Sequence, residues 1–131
     1  MTSRRFIALG TGSQVPTRER NHNGYFLRWD GEGFLFDPGE GTQRQMTFAD
    51  ISASSITKIL ITHFHGDHCL GLPGVLQRLS LDRIQHKVQL FYPAYGKRFV
   101  ENLKNASIYY NAAEIEEIPF AVEGAIYTDE T

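Results

Sequence analysis

KILITHFHGDH, residues 58–68, is the stretch that decides the fold class. Lys58-Ile59-Leu60-Ile61-Thr62 is short, apolar and β-branched, which predicts a buried strand. It runs straight into His63-Phe64-His65-Gly66-Asp67-His68. Three imidazoles and a carboxylate therefore crowd the exit of one strand. Side chains two apart at a strand end point the same way, so His63 and His65 can share one ion. Gly66 permits a turn that aims Asp67 and His68 at a neighbouring position. The arrangement suits two ions rather than one. Imidazole with carboxylate favours zinc, with manganese or iron also open. A set of surface histidines is the plainest alternative, but four polar residues directly behind a hydrophobic strand would each need a partner. A purely structural zinc site is another, and such sites usually fill four positions with cysteine and histidine.

Working outward, the chain alternates strand and helix patterns. Phe6 to Leu9 reads as a buried strand stopped by Gly10-Thr11-Gly12, and a polar loop follows through Gly24. Tyr25–Trp29 and Phe34–Phe36 read as two strands joined by a turn at Asp30-Gly31-Glu32-Gly33. Asp37-Pro38-Gly39 ends the second strand. Thr42 is placed to cap a helix over 43–49. Leu72, Val75, Leu76 and Leu79 share one face of a helix over 72–81. Val88–Tyr92 is the next strand, and Gly96–Leu103 a helix with Phe99, Val100 and Leu103 turned inward. Ile115–Val122 is a strand that Pro119 confines to an edge. Strands followed by helices predict sheet-and-helix layering, an α/β fold.

With 131 residues, 41% hydrophobic and 21% charged, the chain suits one soluble globular domain. No apolar run is long enough to span a bilayer, and the run after Arg4-Arg5 is too short for a secretory signal. A cytoplasmic location is the expectation. Cys69 is the single cysteine, so no intrachain disulfide forms, and it reads as a small buried filler. Net charge is −2. Residues 1–28 hold five arginines against Glu19, whereas residues 106–131 hold six acids and no Lys or Arg. The basic N-terminal region could face a polyanion, or be an ordinary solvated surface.

The motif His63-x-His65-x-Asp67-His68 behind a strand resembles the signature of the metallo-β-lactamase superfamily. FLFDPGEGTQRQM at 34–46, LGTGSQVPTRERN at 9–21 and ITKILITHFHGDHCLGLPGVLQRLSL at 56–81 narrow the resemblance to the ribonuclease Z family. The wording of 12–46 is most similar to actinobacterial members. The resemblance implies the N-terminal half of an αββα sandwich, a mixed sheet with flanking helices. It implies two zinc ions, His63 and His65 holding one, Asp67 and His68 the other. Asp37 would brace the metal loop by hydrogen bonds, where without the family it reads as a turn residue before Pro38. Asp67 would also orient the attacking water and take its proton. The implied activity is removal of the 3′ trailer from precursor tRNA, with Arg18 and Arg20 as substrate contacts. Arg18 stands where the family usually has lysine, which keeps the charge.

The superfamily places a further His, a bridging Asp and a last His well downstream, and the chain contains none of them. His22 and His86 read as ordinary surface or loop residues. Residues 1–131 are therefore expected to form a single partial domain, with one apolar face uncovered and no activity alone. A homodimer is the expected assembly, with no membrane partner. Two rival readings stay open. One is another phosphodiesterase or ester hydrolase with the same metal motif. The other is a non-catalytic half-domain acting only by self-association.

Overall fold

Residues 3–129 are described by a computed structural model of the chain. Six strands form one mixed sheet in simple sequence order. They are β1 (Arg4–Gly10), β2 (Gly24–Trp29), β3 (Glu32–Phe36), β4 (Lys58–Leu60), β5 (Val88–Pro93) and β6 (Ile115–Phe120). The first three pair antiparallel, and β3 through β6 run parallel. Four helices are α1 (Thr42–Phe48), α2 (Gly66–Cys69), α3 (Leu72–Leu81) and α4 (Lys97–Lys104).

Register gives the sheet two different faces. Residues directly opposite one another in neighbouring strands share a face. One cross-strand row is Ile7, Phe26, Leu35, Ile59 and Leu90, ending in Glu117 on the edge strand. Phe26, Leu35, Ile59 and Leu90 are fully buried and belong to the cluster that takes in Met46 of α1, Leu72, Val75, Leu76 and Leu79 of α3, and Val100 of α4. The helices cover this face. The adjacent row, Ala8, Tyr25, Phe36, Leu60, Phe91 and Ile118, belongs to the opposite face. Phe6, Leu27 and Phe34 lie one row along on the same side, which is therefore nearly as apolar as the core side. Phe6 is 66% exposed and most of the others are half-buried. Tyr127 packs edge-on against Phe91 and lies over Lys58 Nζ, covering part of this face.

Several local expectations need correction. The hairpin turn is only Asp30-Gly31, both at positive φ, with Glu32 and Gly33 already in β3. Gly41, at φ 88°, rather than Thr42, is the N-cap of α1, and the Thr42 hydroxyl donates to the Gly39 carbonyl instead. Strand β4 stops at Leu60, two residues early, because Thr62 turns its amide to the Asp37 carboxylate. Residues 66–69 form the short helix α2 instead of a simple turn. Phe99 is 38% exposed, and its ring stacks on Phe64 rather than entering the core. Pro119 does sit on an edge strand, where its missing N–H costs no ladder bond.

The edge is tied down by a buried polar knot. Tyr92, fully buried, donates its hydroxyl to Glu117 Oε1 at 2.7 Å, and Lys104 of α4 reaches Glu117 Oε2 at 2.7 Å. Burial pushes the Glu117 carboxyl up, but Lys104 and Tyr92 outweigh it and hold it below its ordinary value. Burial and the Glu117 bond together push the Tyr92 phenol up. Replacing Glu117 by Ala strands a buried hydroxyl, and the expected loss is about 1–3 kcal/mol by urea unfolding. A carboxyl with a lowered folded pKa contributes stability above its unfolded value, near 4.5, and loses it as pH falls through the folded value. Stability of the Glu117→Ala protein should therefore fall less steeply with acid than that of the unmutated protein. Parallel acid limbs would show that Glu117 is not held in this knot.

Candidate metal centre

The metal loop begins where β3 and β4, adjacent parallel strands, both end. Ligand sites in such sheets gather at the carboxyl ends of the strands. Asp37 follows β3 at φ 46°, and its amide donates to the Leu60 carbonyl at 2.9 Å. Its carboxylate then reaches across to β4. Oδ1 accepts from the Thr62 amide at 2.7 Å, and Oδ2 accepts from the Thr62 hydroxyl at 2.7 Å and from His68 Nδ1 at 3.1 Å. A carboxylate only accepts here, so His68 carries its ring hydrogen on Nδ1. Nε2 is left facing the cleft, with Asn23 Nδ2 3.2 Å away. That is the tautomer a metal ligand needs when its other nitrogen is held by a carboxylate.

His63, His65 and His68 gather around this point. The His63 and His68 ring centroids are 4.1 Å apart, and those of His63 and His65 5.0 Å apart with the planes nearly perpendicular. Ligand atoms of Asp37, His63 and His68 all lie within 4.8 Å of one another. Asp67 is buried beside His68, its Oδ2 3.3 Å from His68 Nε2. Burial pushes the Asp67 carboxyl up, but the Gln14 amide and the imidazoles of His68 and His22 more than offset this, holding it below its ordinary range. It is thus kept as an anion. The four motif side chains line one open cleft of about 420 Å³ with Gln14 and His22. Imidazole nitrogens and an anionic carboxylate lining one cleft are a donor set that fits zinc.

Three residues of the site escaped the sequence reading. Asn23 donates from Nδ2 to Asp67 Oδ2 at 3.1 Å, and the same nitrogen lies 3.2 Å from His68 Nε2. Gln14 donates its backbone amide to Asp67 Oδ2 at 3.1 Å. His22, taken for a surface or loop residue, is only 5% exposed and donates from Nε2 to the Gln14 carbonyl at 2.8 Å. Their signal in the sequence is no more than polar residues in a glycine-bounded loop. His86 does lie in a loop, bonded to the Ile56 carbonyl. Cys69 is buried, and burial with the Asp37 and Asp67 charges pushes its thiol up to about 11. It is the packed thiol its isolation predicts. Arg18 and Arg20 are exposed on the loop that carries Gln14 and do not line the cleft.

Comparison with known proteins places this geometry in a family. A family model described as Anti-Pycsar protein Apyc1 matches residues 4–120. A ribonuclease Z of Nocardia farcinica is 56% identical over 126 residues, covering 96% of this chain and 41% of that protein. The chain thus spans about two fifths of the length of such curated relatives. The crystal structure of human tRNase Z, short form, superposes with a TM-score of 0.79 at 35% identity, covering 90% of this chain and 45% of that one. A diphosphatase of the PhnP family superposes at 0.69 with 25% identity, covering 90% of this chain and 50% of its own. The chain belongs to the family described as Anti-Pycsar protein Apyc1, and on a metallo-β-lactamase fold its sequence matches the N-terminal portion of ribonuclease Z.

Proposed function

We propose that this chain carries the first part of the active site of a zinc-dependent endoribonuclease that removes the 3′ trailer from precursor tRNA. The observation that carries the reading is the convergence of His63, His65, Asp67 and His68 on one cleft, with Asp37 fixing the His68 tautomer. The ribonuclease Z relatives supply the substrate class. His63 and His65 would hold one ion, and Asp67 and His68 a second. Zinc, when bound, supplies Lewis acidity toward the phosphodiester. Asp67, kept anionic in the cleft, orients a water and accepts its proton. Arg18 and Arg20, exposed on the same loop as Gln14, would meet tRNA phosphates outside the cleft. The protein is read as a cytoplasmic homodimer, and no helix among the described residues is long and apolar enough to cross a membrane. A second reading, a small phosphoester as substrate, is favoured by the likeness to the PhnP-family diphosphatase.

In the full-length protein, His65→Ala should cut precursor-tRNA cleavage by more than about a hundredfold, and Asp37→Asn by about 10–100-fold, the range for groups that hold a ligand in place. Bound zinc, measured by atomic emission, should fall in both. Full activity of the His65 variant would end the metal-enzyme reading. Faster turnover of a small phosphodiester than of precursor tRNA would favour the second reading.

Arg18→Ala with Arg20→Ala should leave bound zinc unchanged and weaken tRNA binding. Each lost phosphate contact should lower the salt slope of log affinity by about 0.7–0.9. An unaltered slope would make the loop arginines bystanders.

Residues 1–131 expressed alone should cleave no precursor tRNA and lose zinc to a mild chelator. Two protein ligands per ion fall short of the three that catalytic zinc usually has. The apolar sheet face that includes Phe6, Leu27, Phe34 and Phe36 should also drive self-association. A monomer that keeps zinc and cleaves tRNA would overturn this account of the chain as an inactive portion.

A further inference from the structure

His22 lines the cleft with Asp67 and the three motif histidines but makes no hydrogen bond to any of them, and it is more deeply buried than any of those histidines. Its Nδ1 has no hydrogen-bond partner among the described residues. Its Nε2 has one, the Gln14 carbonyl at 2.8 Å. For stability alone a buried imidazole with one nitrogen unpaired is a poor choice, because an apolar ring of the same size would bury without that cost. The Gln14 bond is what the imidazole contributes.

Gln14 is an unusual residue to hold. It sits at φ 25°, a backbone conformation that non-glycine residues rarely adopt. Two bonds keep it there. Its carbonyl accepts from His22, and its amide donates to Asp67 Oδ2 at 3.1 Å. The loop between them is closed at its base by the Gly12–His22 bridge and by the Gly12 amide on the Asn21 carbonyl at 2.7 Å. Rotation of the Gln14 backbone to a relaxed φ would swing its amide away from Asp67. Strain of this kind persists only where surrounding contacts over-determine it.

We propose that His22 is a positioning residue for Asp67: its Nε2–H holds the Gln14 carbonyl, and so aims the Gln14 amide at the Asp67 carboxylate. This rests on the reading of Asp67 as a zinc ligand. The chemistry is a relay of two hydrogen bonds through one strained residue, and it acts together with Asn23 Nδ2 on the same carboxylate oxygen, Oδ2.

The test uses the full-length protein with His22→Phe, which keeps a ring and loses the donor, and His22→Gln, whose side-chain amide nitrogen replaces Nε2. Zinc affinity is read by competition with a chelator of known strength, and kcat and KM on precursor tRNA separately. The Phe variant should bind its weaker zinc about tenfold less tightly and lose about tenfold in kcat, with KM unchanged. The Gln variant should recover both to within about twofold of the unmutated protein. Nitrogen-15 spectra of the unmutated protein should show the His22 proton on Nε2, which tests the relay even if the Phe variant fails to fold. Unchanged zinc affinity and kcat in a folded Phe variant would overturn the proposal. So would a Gln variant as impaired as Phe, or a proton found on Nδ1 alone. An unmutated protein that binds no zinc at all would overturn the metal reading itself, and this role with it.

Discussion

The Asp37 carboxylate is the interaction on which the site depends. It leaves β3 at a positive φ, pairs its own amide with the end of β4, and accepts three hydrogen bonds from Thr62 and His68. Those bonds end β4 and turn the chain into the metal loop. They also choose the His68 tautomer. An anion so thoroughly satisfied can be buried at 7% exposure without a cationic partner. The backbone around it is packed too closely for any side chain larger than hydrogen. A Cβ on Gly71 would come within 2.0 Å of the Gly39 carbonyl, and the Gly71 amide donates to the Pro38 carbonyl at 2.9 Å. The segment after β3 and the start of α3 are thus locked together, with α2 and its Asp67 and His68 held between them.

The sheet explains both where the site lies and why this chain has an apolar back. Parallel strands β3 to β5 need crossover connections, and the helices of those crossovers cover one face only. The other face carries Tyr25, Leu27, Phe34, Phe36, Leu60 and Ile118, with Lys58 buried among them and paired to Glu32 at 3.0 Å. A parallel sheet is normally covered on both faces. An aromatic surface of this kind is built to be packed against, and relatives more than twice as long have the chain to do it.

Much of this was legible in the sequence because it rests on local pattern. KILIT followed by HFHGDH has strand composition and ligand-type side chains within 11 residues; the strand is found over Lys58–Leu60, and His63, His65, Asp67 and His68 line one cleft. Leu72, Val75, Leu76 and Leu79 are all buried, as their spacing requires. What stayed hidden depends on contacts distant along the chain. Asn23 meets Asp67 across more than forty residues, and nothing local separates a histidine in a polar loop from one that is buried, as His22 is. Phe99 falls on the inward face of α4 by spacing, but Phe64 in the metal loop offers it a partner outside the core. The N-cap shift to Gly41 has the same cause, since the Thr42 hydroxyl is drawn to the Gly39 carbonyl within the Asp37 segment.

The site is accordingly built in two layers of different origin. The proposed ligands come from one short segment between β4 and α3, so their spacing is set by covalent geometry. Their orientation comes from elsewhere: Asp37 from β3, and Asn23 and Gln14 from the long connection between β1 and β2. That connection leaves β1 at Gly10 and re-enters the sheet at Gly24, so both of its ends are pinned by the β1–β2 ladder. A loop fixed at both ends can present a backbone amide to Asp67 on its inner side while leaving Arg18 and Arg20 exposed on its outer side. A change in the position of this loop therefore reaches the carboxylate in the cleft directly. The physical links between what the outer surface of the loop meets and how Asp67 is held are the Gln14 amide and the Asn23 side chain, both on Asp67 Oδ2.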